Sequence, residues 1–309
     1  LWMKPEENGV WEGEKTVEPG IGQVVLTLGD GESMPLKRDT NRLIFGGTML
    51  QVRNERGTLV YSRIKSKEAS EKIVYNTLTV PVRERFQLVL ADGTKVFLNS
   101  GSEMRYPERF GKARREVFLK GEAWFEVAKD SAREFWVHAG AMDVKVLGTS
   151  FNVKAYERLE TVATTLVEGS VEVACAGKSF QIVPGEQFVY DKNNRVMDVR
   201  MVDTESYVSW KDGYYKFRQT TLEEIMETLS VWYGLNVFYV NESAKQVEFT
   251  GKVKRYEDAR MLLDKFEQTG DVVFDIKGNN VFITIKQKKP FAREWNSFLV
   301  KARGMVWQS

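Results

Sequence analysis

Gly121-Glu122-Ala123-Trp124-Phe125-Glu126-Val127-Ala128 is the stretch whose reading decides the fold. Ala123, Phe125 and Val127 fall on one side and Glu122, Trp124 and Glu126 on the other, the period of a half-buried strand. The second side reads as a solvated strand face. Upstream lies Arg105-Tyr106-Pro107. Downstream come Val146-Leu147-Gly148-Thr149-Ser150-Phe151-Asn152-Val153 and Thr165-Leu166-Val167-Glu168-Gly169-Ser170-Val171. All of these read as strands and turns of an all-β module, and none has the composition of an active site.

The β pattern extends outward from there. Leu26-Thr27-Leu28-Gly29-Asp30-Gly31-Glu32-Ser33-Met34-Pro35-Leu36 is echoed 62 residues later by Leu88-Val89-Leu90-Ala91-Asp92-Gly93-Thr94-Lys95-Val96-Phe97-Leu98. Each reads as a strand, an Asp-Gly turn of type I′ and a returning strand, so a β unit is repeated. Further turns are expected at Ala176-Gly177, Pro184-Gly185 and Asn193-Asn194. From about Asp203 the period changes. Thr221 with Glu224 makes a capping box; Leu222, Ile225, Met226, Leu229, Trp232 and Tyr233 follow at helical spacing, and Gly234 closes the helix. Strands are expected at Val237–Val240 and Val247–Val253. A second helix carries Ala259, Leu262, Leu263 and Phe266, and a hairpin joins Val272–Ile276 to Val281–Ile285. This is a small α+β domain of duplicated pattern.

From Lys286 onward the chain holds six basic residues and one acidic one, with Phe291, Trp295, Phe298 and Leu299 at the spacing of an amphipathic helix. Such a helix either folds back on its own domain, the reading we favour, or meets a partner or a membrane surface.

Bulk composition narrows the function. Lys+Arg of 45 against Asp+Glu of 43 leaves a net charge of +2 with interleaved signs, so nucleic acid is not an expected partner. Hydrophobic content of 42% over 309 residues suits about two soluble domains. Cys175 is the single cysteine, which excludes an internal disulfide; alternation places it as a small buried hydrophobe rather than a reactive thiol. No apolar run is long enough to span a bilayer. Leu1 reads as a processed or truncated boundary, with any anchor upstream.

Catalytic chemistry is thin. His138 is the only histidine, which excludes a multi-histidine metal centre; it reads as a half-buried strand residue, not a triad member. No cofactor is expected. The carboxylates Glu122, Glu126, Glu168 and Glu172 leave a carbohydrate-cleaving or carbohydrate-binding β module as the competing reading. Gly148-Thr149 has two readings. A hydroxyl after glycine can attack the preceding carbonyl in a strained peptide; alternatively the pair is a turn, with glycine supplying positive φ.

Phrase after phrase, this chain resembles the periplasmic region of FecR family anti-sigma factors of the Bacteroidetes type. Tyr75-Asn76-Thr77-Leu78-Thr79-Val80-Pro81 is similar to the family's opening phrase, and the Leu-Ala-Asp-Gly, Gly-Glu-Ala-Trp-Phe-Glu-Val, Leu-Gly-Thr and Leu-Val-Glu-Gly-Ser-Val phrases follow in its order. Trp210-Lys211-Asp212-Gly213 and Leu229-Ser230-Val231-Trp232-Tyr233-Gly234 resemble the family's C-terminal part, similar to the STN module of signalling TonB-dependent receptors. Arg83-Glu84-Arg85 departs from the family, standing where a Gly-rich stretch is usual.

The resemblance implies a mainly β fold: a twisted β-sandwich, solenoid-like FecR domain followed by a small α+β STN-like domain. Residues 1–75 would be a β segment on the FecR domain, 76–202 that domain, 203–285 the STN-like domain and 286–309 a basic tail. It implies the periplasmic part of a single-pass inner-membrane protein, reading a TonB-dependent receptor's signalling domain and holding a sigma factor through an absent cytoplasmic segment. Some members cleave themselves at the bond that would be Gly148-Thr149. Receptor contact is expected at a sheet edge within Val237–Val253, with Val237, Phe238, Val247 and Phe249 as candidates beside Trp210 and Trp232; for both tryptophans core packing is the reading we favour.

Overall fold

A computed structural model describes residues 22–37, 41–46, 50–55, 57–63, 73–254 and 258–286. The tail from residue 287 lies outside the described residues. The first strands are β1 (Val24–Thr27), β2 (Ser33–Leu36), β3 (Asn41–Gly46), β4 (Leu50–Glu55), β5 (Thr58–Arg63) and β6 (Tyr75–Thr79). There follow β7 (Phe86–Val89), β8 (Lys95–Leu98), β9 (Glu103–Pro107), β10 (Arg115–Glu126), β11 (Phe135–Ala139) and β12 (Met142–Val146). The β module closes with β13 (Ser150–Ala155), β14 (Thr161–Glu168), β15 (Val171–Cys175), β16 (Lys178–Ile182), β17 (Glu186–Asp191) and β18 (Val196–Met201).

These strands make two large sheets that share β10. The first runs β2-β1-β6-β9-β10-β11-β12-β15-β16. The second runs β3-β4-β5-β7-β8-β10-β13-β14-β17-β18. Leu78, Met104, Val137, Val144 and Val173 of the first meet Leu59, Leu88, Phe125, Phe151 and Phe188 of the second in one continuous core. Successive hairpins alternate between the sheets: β11–β12 and β15–β16 in one, β13–β14 and β17–β18 in the other. The protein is therefore mainly β, a sandwich wound like a flattened solenoid. β10 changes sheet at Gly121, whose φ is +104° and whose missing Cβ would stand 2.5 Å from Ser102 Oγ.

The repeated β unit is present in register: Val24 pairs Leu36 as Phe86 pairs Leu98, and Thr27 pairs Ser33 as Val89 pairs Lys95. The turn type differs from expectation. Only Gly31 and Gly93 have positive φ, not the preceding aspartates, so neither turn is type I′. In each, the glycine N–H bonds back three residues and the Asp carboxylate accepts the N–H two residues on. That is a type I turn with a G1 bulge, which the aspartate's own turn favours. The two-residue I′ geometry occurs instead at Ala176-Gly177, where both φ are positive.

After α1 (Thr204–Val208) and a 3₁₀ turn over Ser209–Asp212, the C-terminal domain comprises β19 (Tyr214–Thr221), α2 (Leu222–Tyr233), β20 (Asn236–Tyr239), β21 (Glu248–Lys254), α3 (Ala259–Glu267), β22 (Val272–Lys277) and β23 (Asn280–Ile285). Thr221 Oγ1 accepts the Glu224 N–H and Gly234 adopts the left-handed conformation, so α2 begins and ends at the residues its sequence nominated. β19 pairs β21, and β20-β23-β22 form a second small sheet. Leu222, Ile225, Leu229, Leu262, Phe266 and Ile283 fill the core between them.

Candidate functional site

The face of β10 that reads as solvated is covered. Glu122 and Trp124 are only 7% and 4% exposed, and Trp124 belongs to the C-terminal domain's core alongside Trp210 and Trp232. Period two assigns the residues to the correct face; the neighbour that covers it comes from a domain some ninety residues away in sequence, which no local pattern reveals. Phe97 of β8 and Val167 of β14 pack against the same cluster.

A chain of hydrogen bonds threads this joint. Glu122 Oε2 accepts Asn99 Nδ2 at 2.7 Å and Oε1 accepts Asn152 Nδ2 at 2.9 Å. Asn152 Oδ1 in turn accepts Trp210 Nε1 at 3.3 Å. Burial raises the Glu122 pKa, opposed by nearby Lys154 and by the two amide donors. Lys154 Nζ lies 3.9 Å from Glu227 Oε2 on α2, a second link across the joint. Around Gly121, Ser102 Oγ accepts the Glu122 N–H at 2.8 Å, and Tyr156 donates to Ser100 O at 2.8 Å.

The second half of the joint is the loop after β6. Arg83 sits at φ +72°, uncommon for a side chain with a Cβ, and its N–H meets Trp232 O at 3.1 Å and Ser100 Oγ at 2.9 Å. Ser100 Oγ also bonds Trp232 O at 3.1 Å and Val231 O at 3.3 Å. Arg85 donates to the carbonyls of Trp210 and Lys211. Arg83 and Arg85 are thus one of the places at which the β module grips the C-terminal domain.

The two sides of the joint match two parts of one known family. Residues 76–172 match the model for FecR protein, and residues 214–283 match that for the C-terminal part of FecR. The chain belongs to the FecR family. Two crystal structures of a protein from Parabacteroides distasonis ATCC 8503, provisionally described as an anti-sigma factor, are similar to this FecR chain at 27% identity and a TM-score of 0.62. The likeness covers 68% and 69% of this chain and 99% and 100% of theirs. No curated protein matches. The family and the similar structures support a signalling role.

In this FecR chain Gly148-Thr149 lies between β12 and β13. Gly148 does not have positive φ; it is required because a Cβ there would stand 2.6 Å from Lys129 Cγ and 2.8 Å from Lys129 Cα. Thr149 is buried and its Oγ1 donates to Ser170 O at 3.0 Å. A polar cavity of about 260 Å³ beside the pair is lined by Lys95, Glu126, Lys129 and Glu168.

Among the contact candidates, Trp210, Trp232 and Phe249 are buried in the C-terminal core, Val237 and Val247 are half-buried, and Phe238 is 47% exposed. Phe238 stacks on Phe282 with centroids 5.1 Å apart, and Val240 beyond it is 62% exposed. β20 bonds only β23, leaving its other edge open among the described residues. The described residues contain no His, Cys, Asp and Glu grouping fit to hold a metal, and no helix long and apolar enough to cross a membrane. Cys175 is buried, as alternation indicates.

An outer row of aromatic rings escaped the sequence reading. Tyr75, Phe118, His138 and Trp136 follow one another across β6, β10 and β11 at centroid distances of 6.1, 4.9 and 6.2 Å. Arg105 lies 4.3 Å over Tyr75 and Lys145 5.6 Å over Trp136. Each ring is stacked on a neighbour or capped by a cation, which occupies π faces that a sugar would need. Alternation showed these positions singly; their alignment requires the strand register.

Proposed function

We propose that this FecR-family chain is the periplasmic sensor portion of an inner-membrane, single-pass anti-sigma factor. It would relay the state of a TonB-dependent outer-membrane receptor to an extracytoplasmic-function sigma factor by protein contact. The observation that carries the reading is the open β20 edge, with Phe238 and Val240 exposed, on a domain matched to the C-terminal part of FecR. An edge of unpaired N–H and C=O groups can be extended by a strand of a receptor's signalling domain, with Phe238 giving apolar contact. The likeness to the Parabacteroides protein supports the anti-sigma part of the reading. The carbohydrate reading loses ground to the occupied faces of the outer aromatic row.

The test is a pull-down with the periplasmic signalling domains of the host's TonB-dependent receptors. Saturable capture of one domain is expected, and it should be lost in Val237→Pro, whose N–H faces the open edge because those of Asn236 and Val240 bond the β23 side, while the far-ultraviolet circular dichroism is kept. Binding that survives the proline moves the contact away from β20; no binding to any receptor domain overturns the relay. Intact mass on the same sample reads the Gly148-Thr149 bond. A split there would establish self-cleavage, and one uncut mass would remove it.

A further inference from the structure

The last turn of a helix leaves its final carbonyls without intrahelical partners. In α2, Ser230 O is satisfied at home by the N–H groups of Gly234 and Leu235. Val231 O and Trp232 O are satisfied by the other domain, through Ser100 Oγ and the Arg83 N–H. These groups are polar on both sides, so water replaces each contact if the domains part. Glu122 is held by two neutral amides, while Lys154 is directed to Glu227. A carboxylate so placed gains hydration on opening. The apolar part of the joint is Trp124, with Phe97 and Val167 beside it, and a small cluster of Tyr156, Leu159 and Val231; the rest of each domain's core is built from its own residues. A joint of this composition resembles a transient interface more than a shared core.

We infer that the C-terminal domain is a detachable lid on the second sheet, held by a latch of Arg83, Ser100, Asn152 and Trp210, whose release bares Trp124 and admits water to Glu122. Trp210 and Ser100 sit at separate points of the joint, so the latch acts as one unit only if the domain moves as a body. The inference does not depend on the receptor reading: a lid can open whatever partner, if any, binds the open edge of β20.

Residue-resolved hydrogen exchange on the whole chain tests it. The Arg83 amide reports lid closure, because one of its two acceptors, Trp232 O, belongs to the other domain. The β11–β12 and β22–β23 ladders report the two cores. We expect Arg83 to exchange faster than either ladder, and Trp210→Phe, which removes the Nε1 donor together with part of the ring, to accelerate it on the order of tenfold with both ladders unchanged. Conversely, Ser100→Ala should accelerate exchange of the Trp210 indole N–H, and this second variant covers the case in which Trp210→Phe disturbs its own domain. If Trp210→Phe leaves the C-terminal ladder intact and Arg83 unmoved, the lid is overturned. It is likewise overturned if Ser100→Ala leaves the indole unmoved, or if every amide accelerates together, since the chain would then be one cooperative core.

Discussion

Arg115 carries its charge to a place with no exposed surface. Its side chain is 0% exposed and bonds Asp92 Oδ2 and Ala128 O at 2.8 Å each, with Arg133 O at 2.9 Å from the other nitrogen. Asp92, 6% exposed, is also the aspartate of the second G1 turn, so one ion pair fixes a hairpin tip against the centre of the sandwich. Removing one partner of a buried pair leaves the other uncompensated. Arg115→Leu should cost about 3–5 kcal/mol of unfolding free energy, read from the shift of a urea transition; a loss under about 1 kcal/mol would place Asp92 in contact with water. His138 is the second titrating case. Burial by itself lowers its pKa, but the 2.7 Å hydrogen bond to Asp143 and the charge of Glu116 outweigh it, and the net shift is upward from 6.5. A raised folded-state pKa means that the stabilisation is complete below 6.5 and lost as pH rises through the folded value. The urea midpoint should therefore fall between about pH 6 and 8 more steeply in the wild type than in His138→Gln. Parallel curves would leave the ring stack, not the charge, as the role of His138. Neither role is legible in Phe135-Trp136-Val137-His138, because Asp143 arrives from the neighbouring strand.

At the scale of elements, what the sequence discloses is local and what it conceals is long-range. Thr221, Glu224 and Gly234 specify α2 because caps act within a few residues. The Asp-Gly hairpins are found for the same reason, although aspartate's preference for an α-like turn converts the expected I′ into type I plus bulge. Gly148 shows the limit: its need for glycine lies in the approach of Lys129, nineteen positions earlier, not in its own φ. β10 joins both kinds of information. Its twelve residues serve two sheets only because Gly121 bends the strand against Ser102, which is itself fixed by two hydrogen bonds to the Glu122 backbone. Gly121→Ala meets a left-handed φ and a backbone contact at 2.7 Å, and should cost about 2–5 kcal/mol. Gly177→Ala has a similar φ of +78° with open space around it and should cost only about 1–2 kcal/mol. Comparing the two variants by thermal unfolding separates contact from conformation. Equal losses would mean that the Ser102 contact relaxes without penalty.

For the whole molecule, the decisive fact is that one strand face has two meanings. Glu122, Trp124 and Glu126 alternate as an exposed face should, and in the β module by itself they would be one; the C-terminal domain makes Glu122 and Trp124 interior and leaves Glu126 partly exposed. The same composition that makes the face look solvated makes it a surface another domain can leave. If the joint is a latch, the halves should behave as separate folds with weak mutual affinity. Residues 22–202 hold the sandwich core complete, and residues 203–286 retain their own core less Trp124, Phe97 and Val167. Produced separately, both should keep native circular dichroism. The β half should expose Trp124, with a red-shifted emission. Mixed, they should associate with a Kd above about 1 μM, since water can replace the polar contacts and the small apolar patch around Trp124, Phe97, Val167 and the Tyr156–Leu159–Val231 cluster must offset the loss of free motion. Ser100→Ala in the β half should weaken that association further. Nanomolar association would mean that the joint is a permanent interface, and failure of the β half to fold would mean that its covered face belongs to a core shared by the whole chain.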